Sequence, residues 1–151
     1  MEQLIIGKTV KGTYYVRPIS WAGQWDKEGN LAYGNTLYES EKEVDCKRYK
    51  NSKELLELIS ENSDLPIAPM VNSEVVADDC GYWIGSFGTA SVKEYCSGEE
   101  HIHFREDDDL DEALADVFGY EKYEEMSDEE ARKAFEELPW IKAIVVYIET
   151  P

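Results

Sequence analysis

His101-Ile102-His103 is the only histidine pair in the chain. On a strand, an H-x-H segment turns both imidazoles to one face, together with Glu99 and Arg105. Two histidines and a carboxylate form a donor set for a divalent metal, and the same imidazoles are suited to acid and base work near neutral pH. His101, His103 and Glu99 are therefore the metal candidates. A second source of chemistry is carboxylate density. Between Glu99 and Glu137 seventeen carboxylates stand against four cations, Arg105, Lys122, Arg132 and Lys133, so this stretch holds thirteen of the net eighteen negative charges.

Other motifs exclude more than they suggest. H-x-H followed by Asp107 and Asp108 resembles the first metal motif of cupin barrels, but that fold needs a further histidine from a later strand and the chain has no third. Asp107 to Asp111 alternates acids in the manner of a calcium loop. Glu112 stands where that loop requires glycine and Phe118 where it requires glutamate, which excludes an EF-hand. Gly81 to Gly88 lacks the Lys-Ser/Thr of a phosphate loop, and no G-x-S-x-G elbow occurs. Cys46, Cys80 and Cys96 form no C-x-x-C pair and read as reduced, buried thiols. Cys96 lies near enough to His101 for a Cys/His pair if the chain folds back there.

The charge excludes further classes. Binding to nucleic acid or to an anionic membrane needs a basic face, so neither is expected as a direct partner. Met1 to Val10 has neither the length nor the flanks of a signal peptide, and no run approaches a membrane span, so the expected site of action is the cytoplasm. Halophilic adaptation would spread the acid and deplete lysine, whereas here the acid is clustered and eleven of fifteen cations are Lys.

Helix amino termini attract carboxylates, which accounts for Asp109, Asp111, Glu112, Asp128, Glu129 and Glu130. It does not account for Glu106, Asp107, Asp108, Glu121, Glu124, Glu125, Glu136 or Glu137. Rows of carboxylates on helices, spaced about 5–6 Å apart, compare with rows of phosphates on a duplex. The expected partner is a basic protein surface, with a nuclease or nucleic-acid-binding complex as the target class. By composition the chain resembles small acidic inhibitors of restriction and CRISPR systems, and acidic immunity proteins. The residues expected to carry binding are Glu106, Asp107, Asp108, Asp111, Glu121, Glu124, Glu125 and Asp128, with no cofactor and no catalytic residue. A small metal-binding protein or metal-dependent enzyme built on the His101/His103 strand is the alternative.

The elements that must position these residues are legible in outline. No repeat and no Pro/Ser/Gly linker divides the 151 residues, which read as one acidic unit. Thr13 to Arg17 and Leu31 to Tyr38 read as strands of a hairpin turning at Asp26 to Asn30. Asn51 to Asn62 reads as a helix capped by Asn51. Ser63 to Pro69 reads as a loop, followed by β-like runs at Glu74 to Ala77, Tyr82 to Ile84, Ala90 to Cys96 and His101 to Arg105.

Two acidic helices follow. The first opens with a capping box at Asp109 to Glu112, carries the stripe Leu110, Ala113, Leu114, Val117 and Phe118, and ends at Gly119. The second runs from Ser127 to Pro139. Trp140 to Ile148 is nearly continuous β-branched and apolar sequence, expected as a strand buried on both faces. The sum is an α+β fold: a mixed or mostly antiparallel sheet, about three helices, and a buried C-terminal strand.

Overall fold

A computed structural model describes residues 3–20, 36–76, 81–107 and 110–151. The fold is α+β with two sheets. The chain forms two compact units, Met1–Ser63 with Pro69–Ala90 and Val146–Pro151, and Asp64–Ala68 with Ser91–Val145. Among the described residues no helix is long and apolar enough to cross a membrane.

In the first unit, β1 (Leu4–Lys8), β2 (Tyr14–Pro18) and β3 (Tyr38–Ser40) form an antiparallel sheet in that order. Leu4 pairs with Pro18, and Tyr15 with both Gly7 and Glu39. The strand expected at Thr13 to Arg17 is present, but its partner is Tyr38–Ser40, which meets the expected Leu31 to Tyr38 strand only at Tyr38; residues 31–35 of that strand lie outside the described residues. Its turn at Asp26 to Asn30 lies outside the described residues. Helix α1 (Glu43–Glu61) packs against the sheet, and its Cys46 is buried with Leu4 and Val16 of the sheet among Ile6, Tyr14, Tyr38 and Tyr49.

The start of α1 departs from expectation. It begins eight residues before Asn51, and Asn51 is no cap: its side-chain amide donates to the Phe87 carbonyl at 2.8 Å. Three ion pairs along the helix, Glu43–Lys47, Asp45–Arg48 and Glu54–Lys50, support a first half that has no apolar stripe to reveal it. At the other end Asn62 closes the helix as expected, its backbone N–H and side-chain amide both donating to the Leu58 carbonyl.

The second sheet contains β4 (Ile67–Val71), β5 (Ser86–Ser97), β6 (Ile102–Phe104) and β7 (Ile141–Glu149), in the order β4-β7-β5-β6. The Ile144 N–H donates to Pro66 O and the Asn72 N–H to Ile148 O. These bonds advance in the same sense along both strands, so β4 and β7 run parallel, while β5 and β6 are antiparallel. The expected loop Ser63 to Pro69 is thus partly strand. Pro69 is tolerated because β4 is an edge, where a missing N–H leaves no ladder bond unmade.

Among the described residues two expected β runs, Glu74 to Ala77 and Tyr82 to Ile84, are not strands, Ala77 itself lying outside the described residues. Ser73–Val75 is a 3-10 turn capped by Asn72, whose side chain accepts the Glu74 N–H. Residues 82–84 have no regular structure, and Tyr82 and Ile84 are exposed. Strand-like composition makes a strand only where a partner offers a ladder. The C-terminal strand is as expected: Ala143, Ile144, Val145 and Val146 are all buried, as an interior strand covered on both faces requires.

The acidic segment forms three helices rather than two: α2 (Leu110–Phe118), α3 (Tyr120–Glu124) and α4 (Asp128–Glu136). Gly119, at φ +87°, ends α2 and starts the short α3. This left-handed conformation suits glycine and little else. The Ser127 hydroxyl caps α4 by accepting the Glu130 N–H and also bonds the Glu130 carboxylate. The inner faces of α2 and α4 bury Ala113, Leu114, Ala131 and Phe135 with Cys96 and Leu138. Trp140 closes this core, edge-on to Phe135 and donating its indole N–H to the Phe135 carbonyl.

Candidate functional site

Burial of one face of α2 and α4 decides where their carboxylates go. Asp111 and Glu112 on α2, Glu121 and Glu124 on α3, Glu125 after it, and Asp128, Glu129 and Glu130 on α4 are all exposed. So are Glu106 and Asp107, in a 3-10 turn (Arg105–Asp107) that leads from β6 toward α2. Seven of the eight expected binding residues therefore lie on the surface of one unit. The eighth, Asp108, lies outside the described residues.

Two of the segment's four cations are engaged elsewhere. Arg105 bonds Glu94 at 3.2 Å and also Glu136, while Lys133 stands 4.0 Å from Glu137. These pairs explain how Glu136 and Glu137 are tolerated at a helix carboxyl end, where the dipole disfavours them. None of these three carboxylates belongs to the expected set. Within the set, Asp111 accepts from the Tyr123 hydroxyl. Tyr120 is 65% exposed among Glu121, Glu124 and Glu125. Hydrogen bonding of Tyr123 to Asp111, and of Tyr120 to Glu124, raises the pKa of each phenol.

The histidines are arranged differently from expectation. His101 precedes β6 and is exposed, and His103 within β6 is buried. Arg105 is drawn away toward Glu94 and Glu136 rather than standing beside them. His103 Nε2 lies 2.6 Å from Asp116 Oδ2 on α2, and the same carboxylate accepts the N–H groups of Glu100 at 3.0 Å and His101 at 3.1 Å. The bond from His103, with those two amides, holds the Asp116 carboxyl down to about 2. One buried carboxylate thus ties the β5–β6 turn to α2, and Gly98 makes room for it: a Cβ there would stand 1.9 Å from Asp116 Oδ2.

Asp116 is the residue that sequence reasoning missed. Its signal was its place, three residues after Ala113 on the flank of the apolar stripe, where a carboxylate needs a partner. The chain does fold back on Cys96, but the antiparallel register pairs it with His103 and not His101. Cys96 is 1% exposed, and burial, with the Asp116 charge, pushes its thiol pKa up. A neutral, enclosed thiol is not a nucleophile. Cys46 is buried with its thiol also raised, and Cys80 lies outside the described residues.

His101, Ile102, His103, Phe104, Asp107 and Glu112 line an open depression of about 420 Å³. Glu99 is not part of it, and among the described residues no three His, Cys, Asp or Glu side chains are grouped to hold a metal ion. A shallower depression of about 470 Å³ is lined by Phe118, Gly119, Tyr120, Glu121, Lys122 and Glu125. Comparison of the chain with protein-family models, with curated proteins and with solved structures finds no match in any of the three.

Proposed function

We propose that the acidic surface of α2, α3 and α4 binds a basic protein surface, as an inhibitor that mimics nucleic acid and occupies the Lys/Arg-lined groove of a nuclease or nucleic-acid-binding complex. The observation that carries this reading is the exposure of Glu106, Asp107, Glu124 and Glu125, none of which stands in the first turn of an α-helix. A clustered negative field costs compactness through self-repulsion and speeds encounter with a basic partner. Tyr120, exposed at the start of α3 beside its carboxylates, supplies the kind of aromatic anchor that interfaces favour.

The test is capture from a lysate of the native host on the immobilised protein at low salt, with elution by a salt gradient. The expected result is a nuclease or nucleic-acid-binding complex that elutes sharply with salt and is competed off by DNA or RNA. In a Glu121→Lys, Glu124→Lys, Glu125→Lys variant, the captured partner should associate more slowly and with weaker salt dependence. Retention of nothing above background, or an unchanged affinity in the triple variant, overturns the reading.

A further inference from the structure

The longest stretch of the chain without a charged residue runs from Cys80 to Val92, thirteen neutral residues in a protein of net charge −18. Its described part carries apolar side chains that the fold leaves wholly or partly in water. Tyr82 is fully exposed, Ile84 is 82% exposed, and Trp83 and Phe87 are each nearly half exposed. An aromatic side chain offers about 150–250 Å² of surface, so these four present roughly 500 Å², most of it apolar. A standard interface buries about 800 Å² on each partner, a little over half of it apolar. The segment from Tyr82 to Phe87 therefore supplies the apolar share of one such interface.

We propose that this patch is the contact between two copies of the chain related by a two-fold axis, with Tyr82 of each copy seated in a depression beside Ile84 and Phe87 of the other. That depression, of about 230 Å³, is lined by Ile84, Gly85, Ser86 and Phe87, with Arg48 and Ser52 of α1 among its walls. A cavity of about 150 Å³ already admits a benzene ring. A seated tyrosine also needs a partner for its hydroxyl. Ser52 Oγ donates to the Arg48 carbonyl at 2.9 Å, and its lone pairs remain able to accept the phenol O–H. Projecting ring and depression belong to the same short run of chain, and a two-fold contact requires a surface complementary to itself. Charge favours the same occupant. Two strongly acidic chains approach at least cost where neither carries charge, whereas a basic partner gains nothing from a neutral surface.

The experiment is sedimentation equilibrium of the whole chain from low micromolar to millimolar concentration, with and without added sodium sulfate. A reversible rise from 17.3 kDa to twice that mass is expected. Sulfate should strengthen it, because salt screens the repulsion between two acidic chains and reinforces apolar burial. Tyr82→Ser with Ile84→Ser, both at exposed positions, should weaken dimerisation about a hundredfold, as loss of an aromatic anchor and its neighbour implies. The Tm of the dilute monomer should stay unchanged in that variant. In an equal mixture of isotope-labelled and unlabelled protein, filtered NMR should show contacts from the Tyr82 ring to Ile84 and Phe87 of the other copy. A mass that stays at the monomer, a dimer that dissociates as salt rises, or an equally tight dimer in the double variant overturns the proposal.

Discussion

Replacing Gly98 with alanine tests whether the Asp116 carboxylate holds the β5–β6 turn to α2. Gly98 has no positive φ, so the variant is not strained by its backbone. What the methyl meets is Asp116, with Oδ2 at 1.9 Å and Cγ at 2.5 Å, and behind it His103 Nε2 at 3.0 Å. A carboxylate at the end of a free side chain would swing away at little cost. This one is pinned by His103 at 2.6 Å and by the amides of Glu100 and His101 at 3.0 and 3.1 Å. Retreat stretches these bonds toward the limit of hydrogen bonding. Overpacking of this kind costs about 1–3 kcal/mol, which for a chain of this size lowers Tm by roughly 2–12 °C.

Two assays separate this mechanism from general damage. Amide hydrogen exchange should show lost protection at Glu100 and His101, the two N–H groups that depend on the carboxylate. In an Asp116→Ala background the methyl has room, and the cost of Gly98→Ala should fall below about 0.5 kcal/mol, the scatter expected of independent sites. An unchanged Tm in Gly98→Ala, or an equal cost in both backgrounds, would refute the reasoning.

Acid should dissolve the same latch. The Asp116 carboxyl, held at about 2 against an ordinary 3.8, stabilises the fold above that ordinary value, and its contribution is lost as pH falls toward 2. The Tm difference between the native protein and Asp116→Asn should therefore shrink from about pH 5 to about pH 2, and a difference independent of pH would contradict the assignment. Leu114, fully buried between α2, α4 and Cys96, should cost about 3 kcal/mol as alanine. Urea unfolding reads this as a lower midpoint at unchanged slope, and a loss below about 1 kcal/mol would show that the site collapses freely.

What local sequence could determine, it did. The stripe from Leu110 to Phe118, the Ser127 cap, the stop at Gly119 and the apolar run ending in β7 each depend on interactions within a few residues or on a composition with one stable location, and each is found in the fold. The acidic surface follows from the same patterning, since burying one face of an amphipathic helix leaves the other in water.

What failed depends on distant partners. The early start of α1 rests on ion pairs and packing rather than on a stripe. Pro69 joins a strand because β7 lies on one side of β4 and nothing in the sheet order lies on the other, and residues 82–84 lack a ladder that their composition cannot supply. The histidine pair illustrates the same limit at the candidate site. Alternation along a strand places His101 and His103, but only a carboxylate thirteen residues after His103, brought back by α2, holds its ring nitrogen Nε2. Local chemistry is written in neighbouring residues, whereas the state of a buried polar group is set by whatever the fold packs against it.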